Sequence, residues 1–170
     1  LAALGYLGSF VDPAKLKGQK LADPKDKINV FNEISKAREI GLSGNFDEAI
    51  AALNKILQED QTISDGFFAL GNVYFKARRF KEAAGAFTQA LELKPDDSFA
   101  VINVANCYAA LGQVEEAEKF ILAQVKRGFD DPQFYHVLGS LYALRGNYDK
   151  ALPYFEECLK KNPNSASAHN

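Results

Sequence analysis

The side chains able to do chemistry in this 170-residue chain are few: two thiols, Cys107 and Cys158, and two imidazoles, His136 and His169. A cysteine attacks carbon or binds metal as its thiolate, which needs a basic or cationic neighbourhood. Each cysteine here falls instead on the apolar side of a helical pattern. Cys107 lies within Val104-Ala105-Asn106-Cys107-Tyr108 and Cys158 within Phe155-Glu156-Glu157-Cys158-Leu159. That placement predicts buried, inert thiols. The histidines are too far apart to share a site, no cluster has metal-ligand spacing, and no glycine-rich phosphate loop is present. The sequence therefore predicts no catalytic residue, no metal site and no cofactor in this stretch.

Composition narrows the remaining classes. The chain is 47% hydrophobic and 25% charged with a formal net charge of −2, which suits a globular core. Phosphate binding needs a clustered excess of Lys and Arg, so nucleic acid is not an expected partner. No run approaches the roughly 18 apolar residues of a membrane span. Two cysteines exclude a disulfide scaffold. There is no Met anywhere in the sequence, which points to a piece of a longer chain.

What could position a surface is a repeat. Leu70-Gly71-Asn72-Val73-Tyr74, Val104-Ala105-Asn106-Cys107-Tyr108 and Leu138-Gly139-Ser140-Leu141-Tyr142 align at steps of 34 residues. Ala49, Ala83, Ala117 and Ala151 keep the same step, as do Leu53, Phe87, Ile121 and Phe155. Turn residues recur with them, at Gly44, Arg78, Gly112 and Gly146. Four units follow, 30–63, 64–97, 98–131 and 132–165, with residues 1–29 before them and 166–170 opening a truncated fifth. In the second unit Phe67, Leu70, Gly71 and Tyr74 form one apolar helical face, and Phe80, Ala83, Phe87 and Ala90 form another. Pro95 and Pro163 stop the second helices. Gly71 and Gly139, with Ala37 and Ala105 in the same slot, are expected to admit a close approach opposite the alanine series. The third unit departs from the others, with Gln124 and Phe129 in expected Ala and Pro slots and a basic glycine-capped end at Lys126-Arg127-Gly128, so its exit should differ. The predicted fold is all-α.

These residues resemble the tetratricopeptide repeat, a 34-residue helix–turn–helix unit. The resemblance implies a solenoid of four such units in a right-handed superhelix, with a non-repeat N-terminal segment. It also implies that set slots of each first helix line a concave groove. Carried onto this sequence, the groove slots hold Phe31, Ile34 and Arg38; Phe68, Asn72, Phe75 and Lys76; Phe99, Ile102 and Asn106; and His136. The wall is apolar, as a protein-binding surface would be, although some members could rotate into the core. His136 reads either as a ligand contact or as a plain exposed helix residue. Asn72 and Asn106 could pair with the backbone of a bound segment. A clamp for chaperone tails needs a Lys where this chain has Phe68 and Ile102, so that function is not expected.

The N-terminal residues have another texture. Leu4-Gly5-Tyr6, a Gly-, Pro- and Lys-rich link, and Asp23-Pro24-Lys25-Asp26 read as a short helix, a linker (Val11 to Asn29) and a helix start. This stretch resembles the junction in bacterial sulfatases of the alkaline-phosphatase superfamily that carry a C-terminal repeat array. The resemblance implies a catalytic domain ahead of Leu1 and a periplasmic or cell-envelope setting; without it the setting would be cytoplasmic. Such sulfatases use a C/S-x-P-x-R motif, which neither Cys107-Tyr108-Ala109-Ala110 nor Cys158-Leu159-Lys160-Lys161 matches, nor any serine. No enzyme is expected in this stretch itself. Two functions stay open: a module capturing a peptide or partner segment in the groove, or an appendage packing on a sulfatase catalytic domain or joining copies of it. Self-association through the last unit's apolar end is a further expectation.

Overall fold

A computed structural model describes residues 24–163, with side chains from Ile28 onward. Among these residues there are eight helices and no strand: α1 (Pro24–Leu42), α2 (Phe46–Glu59), α3 (Ser64–Lys76), α4 (Phe80–Leu93), α5 (Ser98–Ala110), α6 (Val114–Lys126), α7 (Pro132–Ala143) and α8 (Tyr148–Lys161). The second helix of every unit starts 34 residues after the one before, at Phe46, Phe80, Val114 and Tyr148. The helices stack as a solenoid, each packing on the next in sequence, and α1 on α3 and α5 on α7 across units. α1 begins at Pro24, a residue well suited to a first helical turn, so the linker expected to run to Asn29 is shorter.

The turns explain the sharp reversals. Gly44, Arg78, Gly112 and Gly146 occupy one slot of the four units and all adopt positive φ, from 60° to 94°. Three of the four are glycine, for which this left-handed region carries no steric cost. Arg78 pays that cost as a side-chain-bearing residue. Helix starts are fixed more locally: the Asp97 carboxylate accepts from the Ala100 N–H at 3.1 Å, and Asp131 accepts from Gln133 N–H at 2.8 Å. The exit of the third unit differs as its sequence predicts. Gly128 takes φ 93°, the Phe129 N–H donates back to the Gln124 carbonyl at 3.1 Å, and the Phe129 ring meets Phe134 edge-on. Pro153 lies inside α8, which continues through it.

The core runs through the stack as overlapping clusters. Leu53, Phe87 and Ile121 are each at most 1% exposed, and the alanines Ala49, Ala83 and Ala117 are fully buried. The close-approach slot works differently from its sequence reading. A Cβ placed on Gly71 would lie 2.7 Å from the ring of Phe87, and one on Gly139 would lie 2.7 Å from that of Phe155. The glycines therefore face phenylalanine rings, not the alanine series. Where the slot is Ala37 or Ala105, the residue in the ring's place is Leu53 or Ile121, in the same cluster. Small residue and large residue trade volume within each unit. Accordingly α3 lies against α4, and α7 against α8, more extensively than α1 against α2 or α5 against α6.

Candidate partner-binding groove

The first helices of the units, α1, α3, α5 and α7, carry the slots expected to line the concave wall. The structure divides those residues into two groups. Phe31, the eighth residue of α1, and Phe99, the second of α5, point outward, 62% and 67% exposed. Ile34, by contrast, is only 5% exposed and belongs to the core of the first two units. Phe68 and Phe75 are half-buried and packed edge-to-face on Phe87 and Phe80, with ring centroids 5.3 Å and 5.2 Å apart. The rotation left open in the sequence thus takes Ile34 fully, and Phe68 and Phe75 partly, into the interhelical core. Ile102 is half-buried against the third-unit cluster.

Among the described residues, two crevices open on this wall. One, of about 410 Å³, lies between α5, α7 and the end of α8, and is lined by Phe99, Ile102, Pro132, Gln133, His136 and Val137, with Cys158 and Asn162 at its edge. The second, of about 120 Å³, lies between α1 and α3 and is bordered by Arg38, Leu42, Asn72 and Lys76 over Ala69 and Val73. Neither Arg38 nor Lys76 meets a carboxylate among the described residues. Asp65, at the start of α3, is held by Lys94 at 2.7 Å. Asn72 and Asn106 are half-buried, and neither amide has a hydrogen-bond partner among the described residues. His136 is half-buried with its ring 6.0 Å from that of Phe155. His169 lies outside the described residues.

The thiols are placed as predicted. Both cysteines are buried, and burial pushes the Cys107 thiol up to about 12, far from the thiolate a nucleophile needs. No group of three or more His, Cys, Asp or Glu among the described residues is arranged to hold a metal ion. No helix there is long and apolar enough to cross a membrane.

One polar cluster escaped the sequence reading. Glu118 of α6 accepts hydrogen bonds from the hydroxyls of Tyr142, at 2.6 Å, and of Tyr154. The two rings stack nearly parallel, 6.1 Å apart, and both hydroxyl pKa values are raised, chiefly by burial. Glu118 occupies the slot held by Ile50, Ala84 and Leu152 in the other units. It ties α6 to α7 and α8 and has no access to the concave wall crevices. That departure from the apolar slot was the only signal available.

Two family models, each described as tetratricopeptide repeat, match residues 74–141 and 132–165, together more than half of the chain. The helices of those residues have the same paired geometry as the rest of the stack. The chain is a tetratricopeptide-repeat array. It is 33% identical over 129 residues to U-box domain-containing protein 70 of Oryza sativa subsp. japonica, covering 72% of this chain and 15% of that protein. It is 29% identical over 150 residues to Hsp70-Hsp90 organizing protein 1 of Glycine max, covering 84% of this chain and 26% of that protein. The chain therefore spans about a quarter or less of the length of these relatives. The solved structure of MamA superimposes with a TM-score of 0.65 at 24% identity, covering 84% of this chain and 83% of that one, a likeness of fold.

Proposed function

We propose that this tetratricopeptide-repeat array is a protein-interaction module that receives an apolar segment of a protein partner along its concave wall. The observation that carries the reading is Phe99. A phenylalanine 67% exposed at the mouth of a crevice of about 410 Å³ is a poor neighbour for water and a good one for an incoming side chain. Ile102, Gln133 and His136 complete the contact, and the amides of Asn72 and Asn106, without a partner among the described residues, are spaced by one unit to meet a peptide backbone. Phe31, Arg38, Phe75 and Lys76 extend the surface toward the first unit, while Ile34 and Phe68 support it from within. The Hsp70-Hsp90 organizing proteins, whose names describe work on other proteins, share an array of this kind and support the interaction class. The test is selection from a displayed random peptide library against the wild-type chain and against Phe99→Ala with Asn106→Ala. Enrichment of apolar peptides on the wild type alone upholds the groove; equal enrichment on both moves the site elsewhere.

A second reading is an appendage of a sulfatase-like parent, packing on its catalytic domain or joining copies. That reading rests on the resemblance of the N-terminal residues to such a junction. The residues encoded ahead of Leu1 decide it.

A further inference from the structure

We infer that the turn between α3 and α4 is a docking point for a short acidic segment of a protein partner, held by Lys76, Arg78 and Lys81. This turn stands apart from its three counterparts in the same array. Where they have Gly44, Gly112 and Gly146 at positive φ, it has Arg78, at φ 60°. Where they place a carboxylate as the second residue of the following helix, at Asp47, Glu115 and Asp149, it places Lys81. Each exchange works against the fold. A side chain in the left-handed region is strained, and a cation in the first turn of a helix faces the positive end of its dipole. Nothing nearby offsets either loss: Arg78 and Lys81 are exposed and meet no carboxylate among the described residues. Lys76, the last residue of α3, is a third exposed cation of this kind, and it carries the charge to the edge of the crevice between α1 and α3.

The nearest carboxylates are already held by a fourth cation. Arg79 Nε donates to Glu82 at 2.9 Å, and its Nη1 lies 3.8 Å from the Asp47 carboxylate. The charge of the other three is left facing solvent, where an anion can reach it. Charge selects the kind of partner, and the neighbouring turns limit its length. The Arg79–Asp47 contact shows that the first two turns are adjacent. The Arg145 guanidinium, donating to the Gly112 carbonyl at 2.6 Å, shows the same for the last two. The turns thus line one edge of the stack. On either side of the basic turn the next helix opens with two carboxylates and no cation, Asp47-Glu48 and Glu115-Glu116. A long polyanion or an anionic membrane surface laid along this edge meets those carboxylates and is repelled. A few Asp or Glu side chains in a row engage the three cations and end before the flanking turns. The chain as a whole has a formal net charge of −2, so the basic turn is a local exception.

The probe is fluorescein-labelled hexaglutamate, titrated by anisotropy into three full-length chains at about 50 mM salt, where exposed charges are weakly screened. Besides the wild type, Arg78→Gly with Lys81→Asp gives the turn the residues of its first-unit counterpart. That variant removes both unfavourable placements and should melt no lower than the wild type, so a lost signal is not an unfolded protein. Lys36→Gln with Lys119→Glu makes the same change of net charge on other exposed positions. The expected result is binding to the wild type that falls as salt is raised, roughly tenfold weaker binding to the turn variant, and little change in the charge-matched one. Equal loss in both variants would reduce the effect to net charge and overturn the site. Equal binding by wild type and turn variant, or no binding by the wild type, would overturn it as well. Oligothymidylate or phosphatidylserine vesicles that bind more tightly than the peptide, and lose binding in the turn variant, would overturn the protein segment as occupant. Circular dichroism melts check that all three chains are folded at the temperature of the titration.

Discussion

The first and last units are cut from one 34-residue pattern yet meet their surroundings in opposite ways. On α1 the slots facing out of the stack hold Asn32, Glu33, Lys36 and Glu39, all exposed. The same slots on α5 hold Ala100, Val101, Val104 and Cys107, each fully buried. On α8 the outward slots hold Leu152 and Leu159. Leu152 is 59% exposed, whereas its counterpart Ile50 in the first unit is buried. One outer face carries polar side chains in these slots. The other keeps the apolar chemistry of an interior joint. In a stack of near-identical units, a few substitutions decide whether a surface is an end or a joint.

The comparison breaks most visibly at the ring slot. Phe87→Ala should cost about 3–5 kcal/mol in urea unfolding, as a fully enclosed phenylalanine does. Phe155→Ala, whose ring packs against Gly139 but is only half-buried, should cost about half of that or less. Equal losses would mean that α8 is as covered as α4. Next comes the tight slot: Gly71→Ala should cost on the order of 1–3 kcal/mol by overpacking against Phe87. Adding Phe87→Leu, which recreates the Ala37–Leu53 arrangement of the first unit, should return part of that loss; a strictly additive double mutant would contradict the volume trade. Arg78→Gly should stabilise the chain by up to about 1 kcal/mol, since it relieves a left-handed residue that carries a side chain. Any loss there would reveal an interaction of Arg78 that outweighs its strain.

Smaller effects concern the last unit. Leu152→Glu should change stability by no more than about 0.5 kcal/mol, yet abolish any self-association through α8 seen by sedimentation at high concentration. Association that survives the charge would place the contact elsewhere. The least effect is expected at Asp130, whose carboxyl is held below the ordinary carboxylate range mainly by its hydrogen bond from Lys161. A depressed carboxyl stabilises the fold above its unfolded pKa and stops doing so as pH falls through its folded one. Melting temperatures of wild type and Asp130→Asn should therefore differ slightly at neutral pH and converge by about pH 2–3. A gap that widens in acid would reverse the assignment.

Much of this was legible in the residues. A fixed step of 34 is visible because every unit solves the same packing problem, and left-handed turns announce themselves through glycine at Gly44, Gly112 and Gly146. Even Arg78 was found through its register. The groove was harder. Slot numbers place Ile34, Phe68 and Phe75 on the wall, but a helix turning a few degrees toward its neighbour decides which side chains sink. Ile34 sinks because Ala37 and the first-unit cluster draw it in; Phe68 and Phe75 do so because Phe87 and Phe80 offer ring edges. The Glu118 cluster was not legible, since its two tyrosine partners come from α7 and α8 and no local pattern joins them to α6.

The pairing of Gly71 with Phe87, and of Ala105 with Ile121, bears on how such a chain can change over generations. These are two workable answers to one spatial problem, and each intermediate between them is worse than either. Glycine with leucine leaves a hole; alanine with phenylalanine collides. A lineage passing from one answer to the other must cross through a weakened ancestor or receive both changes together. Neighbouring units of one array can thus keep different answers for a long time, each locked by its own partner rather than by the function of the whole.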